Sequence, residues 1–435
     1  MEPAVLLEEA DYDTDAHGTS VSLFSGAGGL DLGLTASGWR VLAQIEMNAD
    51  CGQTLRHQAA RSKRPAECIS ARIEDIDPRQ LRRALRLNPG DLGLLAGGPP
   101  CQPFTTTGLR QGINDRRASS AFPAYLRYLE EFMPNALLLE NVDGMLSAAL
   151  RHRPMRQRGG GSPRMEWEER KGSFLHWFLS ALARLGYSVT WGVVEAADHG
   201  VPQFRQRAVL VGVRSGDPCF LPPPRYGAEP LLPFRTLRHA LAAVKNPGPV
   251  QALSARKCAV FRLIPPGGNW RELPEEIREQ TMGAAYYAVG GRGGWWRRLA
   301  WDEPSPTILG MPDHSSTSLI HPDEVRCLSL NECAAIQTFP KYVRFGGSSR
   351  SGYQQIGNAV PPLLARTLGG HLARHLAGLR TPLPIPPEGR NASANRRIGT
   401  HGWVVPGHRG PKFHILAKPR RDSIWASEQY ELCLV

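Results

Sequence analysis

Six short apolar runs, separated by polar or glycine-rich stretches, lie in the first half of the chain, at residues 21–24, 41–45, 92–96, 136–139, 187–194 and 207–213. Such runs, bounded by turn residues, are typical of strands buried in a sheet that is covered on both faces. Between them, the residue pattern predicts a helix that starts near Leu30 and another over 173–185. This alternation predicts an α/β fold built on a doubly wound, mostly parallel sheet.

The pattern changes between residues 216 and 322, where proline and glycine are frequent and aromatic residues are mixed with arginines. We interpret this stretch as a second, smaller domain inserted into the first. Periodic elements then return, and Ser329 and Glu332 have the spacing of a helix capping box. The predicted organisation is a leader (1–19), a first domain (20–215), the inserted domain (216–322), a segment that completes the first domain (323–378) and a basic tail rich in Pro and Arg (379–435).

The composition favours a polyanionic partner. The chain has 52 lysines and arginines against 40 aspartates and glutamates, for a formal net charge of +12, and basic side chains gain free energy by releasing counterions from phosphates. The eight cysteines include no Cys-x-x-Cys pair, which disfavours a disulfide framework and a zinc site and fits a reducing compartment. His371 and His375 have helical i, i+4 spacing without a third ligand, so we expect no metal.

The hydropathy pattern predicts no membrane segment. No apolar run approaches the roughly 18 residues that a membrane span requires, and the N-terminal segment is acidic, unlike a signal peptide. We therefore expect a soluble, cytoplasmic protein.

The first candidate for chemistry is Cys101, which follows the apolar run 92–96 through Gly97, Gly98, Pro99 and Pro100. Two prolines remove two backbone donors, so the chain must leave the sheet there. The cysteine is then presented at the carboxyl end of a strand, where open α/β sheets bind ligands. A buried thiol that acts as a small hydrophobic group is the alternative to a nucleophile.

A glycine-rich turn at 25–29 follows the first predicted strand, and Glu46 closes the second. A carboxylate there is suitably placed for the ribose of a nucleoside, since it follows Gly26 by 20 residues. The turn lacks the full G-x-G-x-x-G fingerprint and a P-loop lysine, which disfavours a dinucleotide or a nucleoside triphosphate. A turn that serves only close packing remains the alternative.

Three further charged groups attract attention. Glu140 ends the run 136–139, where a carboxylate serves either chemistry or ion pairing. Arg205 and Arg207 share one face of an extended segment, from which phosphate and base oxygens can be reached together. The segment 151–164 carries five arginines and no acidic residue, which predicts a solvated basic loop.

Several segments together resemble the motifs of the DNA cytosine-5 methyltransferases, in the order of that family. Gly-Gly-Pro-Pro-Cys-Gln-Pro-Phe at 97–104 resembles the catalytic loop, and Phe-Ser-Gly-Ala-Gly-Gly at 24–29 resembles the cofactor motif. The other matching segments are 140–142, 203–207, 326–332, 336–340 and 353–362. The resemblance covers about residues 20–378 and implies a Rossmann-like methyltransferase fold.

The resemblance also implies a role for individual residues. Cys101 would attack C6 of a flipped-out cytosine, Glu140 would assist at N3, and Asn141 would shape the adjacent turn. Arg207 and Arg205 would contact the base or its surroundings. S-adenosyl-L-methionine would be bound by Phe24, Gly26, Gly28, Gly29, Glu46, Met47, Asp75, Ile76, Pro99, Asn358 and Val360. Met47 stands where the family usually has an aromatic residue.

The implied function is methylation of C5 of cytosine in a specific double-stranded DNA sequence, as the modification enzyme of a restriction-modification system. The implied partners are double-stranded DNA and a cognate restriction endonuclease, and we expect a monomer associated with the nucleoid through DNA. The inserted domain at 216–322 would read the target sequence. Two alternatives remain: a tRNA cytosine-5 methyltransferase and a DNA-binding scaffold without catalysis.

Overall fold

The structure is a computed structural model. It describes residues 18–100, 116–154, 157–158, 163–287, 294–314, 318–379, 401–407, 410–415, 424 and 431–432, of which 116–120 and 431–432 are described by their backbone alone.

In this part of the chain, ten strands form one sheet in the order β10-β9-β8-β6-β7-β5-β4-β1-β2-β3. The strands are β1 Gly18–Leu23, β2 Trp39–Ile45, β3 Glu67–Ile69, β4 Leu94–Gly97, β5 Ala136–Asn141, β6 Tyr187–Glu195, β7 Gln206–Arg214, β8 Gly402–Val405, β9 Lys412–Ile415 and β10 Glu431–Leu432. Strands β1 to β5 pair in parallel, and β7 pairs antiparallel with both β5 and β6. The prediction of a doubly wound, mostly parallel sheet is confirmed for the catalytic part.

Helices cover both faces of this sheet. The helices of the described residues, including those of the region 216–322, are α1 Gly29–Ala36, α2 Ala49–Ala59, α3 Pro78–Ala84, α4 Arg116–Phe132, α5 Ser173–Arg184, α6 Leu237–Leu241, α7 Ala255–Arg262, α8 Glu275–Met282, α9 Leu330–Ile336, α10 Ser349–Asn358 and α11 Pro362–Leu376. The apolar side of α5 is fully buried, with Phe174 and Phe178 packed edge-on against Phe122 of α4. The predicted capping box is present, since Ser329 and Glu332 each accept the other's backbone N–H.

Helix α11, which belongs to the C-terminal segment after residue 323, packs on α1. A Cβ built on Gly33 of α1 would lie only 2.3 Å from the carbonyl oxygen of Pro362, so the two helices approach at a distance that only glycine permits. The Trp39 indole N–H donates to the Gly369 carbonyl at 3.0 Å. These contacts bring the segment after residue 323 back into the first domain.

The region 216–322 contains helices α6 to α8 and a hydrophobic cluster of its own around Phe261, Ile264 and Met282. Part of its aromatic and arginine mixture lies in the interior rather than at a DNA surface. Trp296 is 8% exposed, and the 7% exposed Arg298 donates to the carbonyl oxygens of Ile264 and Pro322. The domain boundaries themselves stay a prediction.

The tail after residue 379, which the sequence left without a role, adds three strands to the sheet. Strand β8 pairs antiparallel with β6, and β9 pairs with β8. The fit is close on both sides, because a Cβ on Gly192 would lie 2.5 Å from the His401 ring and a Cβ on Gly402 would lie 2.6 Å from the Trp191 ring. The description of 379–435 as only a basic tail is therefore incomplete.

The prediction of a solvated loop at 151–164 is wrong for Arg153. Its side chain is 10% exposed, lies 2.5 Å from a Glu169 carboxylate oxygen and donates to the Pro163 carbonyl. The acidic partner, Glu169, lies beyond residue 164, so the charges of 151–164 alone do not reveal this ion pair. Within the described ranges, no helix combines the length and the apolar character needed to cross a membrane.

Candidate active site

The carboxyl ends of β4 and β5 lie side by side, because these two strands pair in parallel along their length. Asn141, which is 2% exposed, donates from Nδ2 to the Pro99 carbonyl oxygen at 2.9 Å. Cys101 lies outside the described residues, so its side chain is not located here. The backbone that leads into it is nevertheless fixed to the end of β5 by Asn141.

Glu140 lies at the centre of this strand edge and is 7% exposed. A Cβ built on Gly98 would lie 3.5 Å from Glu140 Oε2, so the carboxyl group faces the segment that leads to Cys101. Arg207 Nε lies 3.0 Å from Glu140 Oε1, although the two groups are not aligned as a hydrogen bond. Burial raises the pKa of Glu140, and the positive charges of Arg207 and Arg205 offset that increase only in part.

The two arginines of the 203–207 motif lie in different surroundings. Arg207 is half-buried beside Glu140. Arg205 is 1% exposed, and its guanidinium donates to the carbonyl oxygens of Ile308, Gly357 and Ala359. This enclosure gives no support to the prediction that Arg205 contacts the base or its surroundings, because its guanidinium is directed at backbone carbonyls.

The glycine-rich turn after β1 is fastened to the end of β2. Glu46 accepts the N–H of Gly26 on Oε2 at 2.8 Å and the N–H of Asn48 on Oε1 at 2.7 Å. Phe24, Gly26 and Gly28 have φ values of 58°, 54° and 77°. A Cβ on Gly26 would meet no atom within 4 Å, so the turn faces open space beside a carboxylate, as a nucleoside site requires.

Four other candidates for cofactor binding follow the carboxyl ends of β2, β3 and β4. Met47 is 61% exposed. Asp75 is exposed at the end of the 3₁₀ turn Ile73–Asp75, and Ile76 is half-buried. Pro99 is buried next to Asn141. These residues share one edge of the sheet with the glycine-rich turn.

The C-terminal motif reaches the same edge. A Cβ on Gly29 would lie 2.3 Å from the Val360 carbonyl oxygen, so Val360 packs directly on the glycine-rich turn. Asn358, the last residue of α10, is exposed. The structure thus brings together candidates that are separated by most of the chain.

Several buried polar side chains have no individual role assigned by the sequence. Gln203 and Gln337 are fully buried, and Gln203 Nε2 donates to Gln337 Oε1 at 2.7 Å. Asp31, 3% exposed, accepts from Gln44 Nε2 at 2.8 Å, and burial raises its pKa to about 6. Gln203 and Gln337 lie in the segments 203–207 and 336–340, which match family motifs. Their place in those motifs was the sequence signal that could have identified them.

The two histidines of α11 serve the packing of a loop. His371 Nε2 lies 2.9 Å from the Phe220 carbonyl oxygen, and His375 Nε2 lies 3.1 Å from that of Asp217. Within the described residues, no group of three His, Cys, Asp or Glu side chains is arranged to hold a metal ion.

A family model of C-5 cytosine-specific DNA methylases matches residues 18–374. The chain belongs to this family. The methylase is 32% identical over 364 residues to the type II methyltransferase M.Sau96I of Staphylococcus aureus, covering 81% of this chain and 75% of that protein. It is 35% identical over 366 residues to the type II methyltransferase M.PspPI of Psychrobacter sp. (strain TA137), covering 82% and 79%.

Solved structures show the same fold. A prophage-encoded E. coli protein, described as a DNA modification methyltransferase, superposes on the methylase with a TM-score of 0.55 at 20% identity, over 83% of this chain and 99% of that chain. Spodoptera frugiperda DNMT2 superposes with a TM-score of 0.50 at 14% identity, over 82% and 99%. The methylase is therefore a DNA cytosine-5 methyltransferase with a Rossmann-like fold.

Proposed function

We propose that this methylase transfers a methyl group from S-adenosyl-L-methionine to C5 of a cytosine that is flipped out of double-stranded DNA. The reaction proceeds through a covalent bond between Cys101 and C6. The observation that carries this proposal is the strand edge where the buried Glu140 lies beside Arg207, and where Asn141 holds the backbone just before Cys101.

The chemistry of cytosine explains why these groups are needed together. C5 is a poor nucleophile, but addition of the Cys101 thiolate to C6 breaks the C5–C6 double bond and makes C5 an enamine carbon. Electron density moves toward N3 during this addition, so a proton donor at N3 lowers the barrier. Glu140 is buried and its pKa is raised, which favours the neutral carboxyl group that can donate that proton.

The residues at the carboxyl edge fit the proposed methyl donor. The carboxylate of Glu46 would accept the ribose hydroxyls, which its position at the end of β2 beside Gly26 supports, and the open space over Gly26 would admit the ligand against the backbone. The turn at 358–360 closes the other side of this space by packing on Gly29. When bound, S-adenosyl-L-methionine supplies an electrophilic methyl group on a sulfonium centre.

The proposed substrate is a specific sequence in double-stranded DNA. Because C5 lies inside the stacked duplex, the target base must rotate out, at a cost of about a few kcal/mol that contacts to the DNA recover. The curated relatives are named type II methyltransferases, which supports a role as the modification enzyme of a restriction-modification system. A cognate restriction endonuclease is the proposed partner, and the proposed active form is a monomer.

Covalent trapping tests this function. Incubation of the protein with S-adenosyl-L-methionine and DNA that contains 5-fluorocytosine should give an adduct that survives denaturation, because fluorine at C5 blocks release of the enzyme. The adduct and the methylation of ordinary DNA should both vanish in Cys101→Ala, while DNA binding persists. Cys68→Ala is the matched control and should leave both intact. An adduct that survives Cys101→Ala overturns the proposal.

A further inference from the structure

Three buried polar side chains form a junction where β7 begins. Gln203 and Gln337 are 0% exposed and Arg205 is 1% exposed. Gln203 Oε1 accepts the Ile308 N–H at 2.8 Å, and its Nε2 donates to Gln337. Gln337 Nε2 in turn donates to the Ile356 carbonyl at 2.6 Å. We call these three residues the Gln203–Arg205–Gln337 junction.

Arg205 connects the same segments. Its Nη1 donates to the Ile308 carbonyl at 3.2 Å, and its Nη2 donates to the carbonyls of Gly357 and Ala359 at 2.8 and 2.9 Å. Burial of a charged group is costly, and hydrogen bonds from Nη1 and Nη2 to these carbonyls offset part of that cost. A planar guanidinium can serve several carbonyls at fixed directions, which a lysine ammonium cannot reproduce.

The junction fixes the segment that leaves the region 216–322. Thr307 Oγ1 donates to the Phe204 carbonyl at 2.8 Å, and Phe204 N–H donates to the Ser305 carbonyl at 2.8 Å. On the opposite side, a Cβ on Gly357 would lie 2.5 Å from the Gly310 nitrogen. Residues 305–310 are therefore held between the start of β7 and the end of α10.

Two functional groups lie next to this junction. Arg207, two residues beyond Arg205, contacts Glu140. Asn358 and Val360 flank the carbonyl of Ala359 that Arg205 and Gln337 both contact. The buried junction therefore lies beside the start of β7, which carries Arg207, and contacts the backbone of two other segments. These are the turn 357–360, which we call the cofactor turn, and the segment 305–310.

We propose that Gln203 and Arg205 are positioning residues that set the cofactor turn 357–360 and the segment 305–310 against the strand that carries Arg207. This inference rests on the proposed function, which assigns cofactor binding to the turn and places Arg207 in the active site. In this arrangement Arg205 has no contact with DNA. Its loss displaces the cofactor turn even when no DNA is present.

Cofactor binding without DNA tests the inference. Arg205→Lys keeps the charge but loses the planar fork, so we expect S-adenosyl-L-methionine to bind roughly tenfold more weakly, measured by calorimetry on the DNA-free protein. The single-turnover methylation rate should fall by about 10²-fold, the usual scale for a small misplacement of reacting groups. Thr307→Val removes the hydrogen bond to the Phe204 carbonyl, which holds the segment 305–310 beside the junction, and leaves no charge buried. It should weaken cofactor binding and lower the methylation rate by less than Arg205→Lys does.

Arg82→Lys is the matched control. Arg82 is 12% exposed, pairs with Glu131 at 2.7 Å and donates to the Leu87 carbonyl, remote from the junction. It should lower thermal stability without changing cofactor affinity or rate. If Arg205→Lys fails to fold, Thr307→Val decides the question.

Two results overturn the inference. One is unchanged cofactor affinity with a loss confined to DNA-dependent steps, since that would place Arg205 at the DNA. The other is a lower melting temperature with unchanged affinity and rate, since that would leave only a packing role. A wild-type protein that methylates no cytosine contradicts instead the proposed function, and the cofactor titration still reports on the junction.

Discussion

Glu140 combines burial with a nearby positive charge, and the balance between them sets its protonation state. Desolvation favours the neutral carboxyl, and Arg207 at 3.0 Å favours the carboxylate. Because the desolvation effect is the larger of the two, the carboxyl group keeps access to its neutral form. A small movement of Arg207 when a base enters would shift this balance further.

Glu140→Gln removes the transferable proton and keeps the shape of the side chain. We expect the single-turnover methylation rate to fall by roughly 10²-fold or more, the usual scale of acid and base assistance, with cofactor affinity unchanged. Glu131→Gln, which also loses a partner of an arginine, is the control and should keep the rate. A collapse of cofactor affinity in Glu140→Gln would instead make Glu140 a residue of the cofactor pocket.

Glu195 gives the protein a pH-dependent stability. It is 6% exposed and accepts the Arg205 backbone N–H at 2.5 Å, and burial raises its pKa from 4.5 to about 7. A raised pKa means that the folded state binds the proton more tightly than the unfolded state. The stability contributed by the protonated form is therefore complete below pH 4.5 and is lost as the pH rises to about 7.

Glu195→Gln should remove this dependence. At pH 8 the variant should exceed the wild type in free energy of unfolding by up to about 3 kcal/mol, and near pH 4.5 the difference should disappear. Urea unfolding of both proteins across this range measures it. Parallel curves for the two proteins would show that another group titrates.

Arg205 and Arg207 show what the sequence predicts at the level of single residues. Their alternate spacing predicts that both side chains lie on one face of an extended segment and reach a substrate together, but of the two only Arg207 is paired with Glu140 at the strand edge. The partners of Arg205 lie 103 to 154 positions away in the chain. Local spacing therefore could not distinguish a buried arginine that holds backbone carbonyls from one that faces a substrate.

At the level of elements, the prediction from sequence succeeds where the strands are central. The six apolar runs all correspond to strands, although β5 extends through Glu140 and Asn141. Strand β3 and the strands of the tail were missed. They are two to four residues long, and their pairing depends on contacts with distant strands rather than on their own apolar pattern.

A glycine-to-alanine substitution, which adds one methyl group, tests how closely β8 packs against β6. In Gly402→Ala the new Cβ would lie 2.3 Å from the His414 carbonyl oxygen, so we expect the free energy of unfolding to fall by about 1–3 kcal/mol. Amide exchange over 402–405 should accelerate while the methylation rate stays unchanged. Gly370→Ala, whose Cβ would meet only ordinary contacts at 3.7 Å, is the control and should lose no stability. An equal loss in both variants would contradict the predicted close fit.

For the whole molecule, the structure suggests how to exchange the region 216–322, which we propose reads the target sequence. His371 and His375 hold the backbone at 217–220, and the hydrogen bonds from Gln203 and Arg205 to Ile308 involve its backbone N–H and carbonyl. A replacement of 222–322 therefore leaves 217–220 in place, and the residue that replaces Ile308 can make the same backbone hydrogen bonds.

A chimera that carries this region from a relative with a different known target should methylate the relative's sites, because contacts to base edges specify a sequence whereas phosphate contacts only position the protein. Bisulfite sequencing of DNA from cells that express the chimera measures the change, and a chimera with Cys101→Ala is the control. Continued methylation of the original sites would place the specificity outside 222–322.

The contact between α1 and α11 has a consequence for how the protein is made. Gly33 of α1 meets Pro362 of α11, and nearby Trp39 of β2 and Gly369 of α11, which share a hydrogen bond, are 330 positions apart. A ribosome has therefore synthesised most of the chain before the glycine-rich turn receives its final neighbours. Contacts between such distant positions also slow folding, because a long loop must close first. A nascent chain thus cannot complete the packing around its glycine-rich turn until synthesis has passed α11.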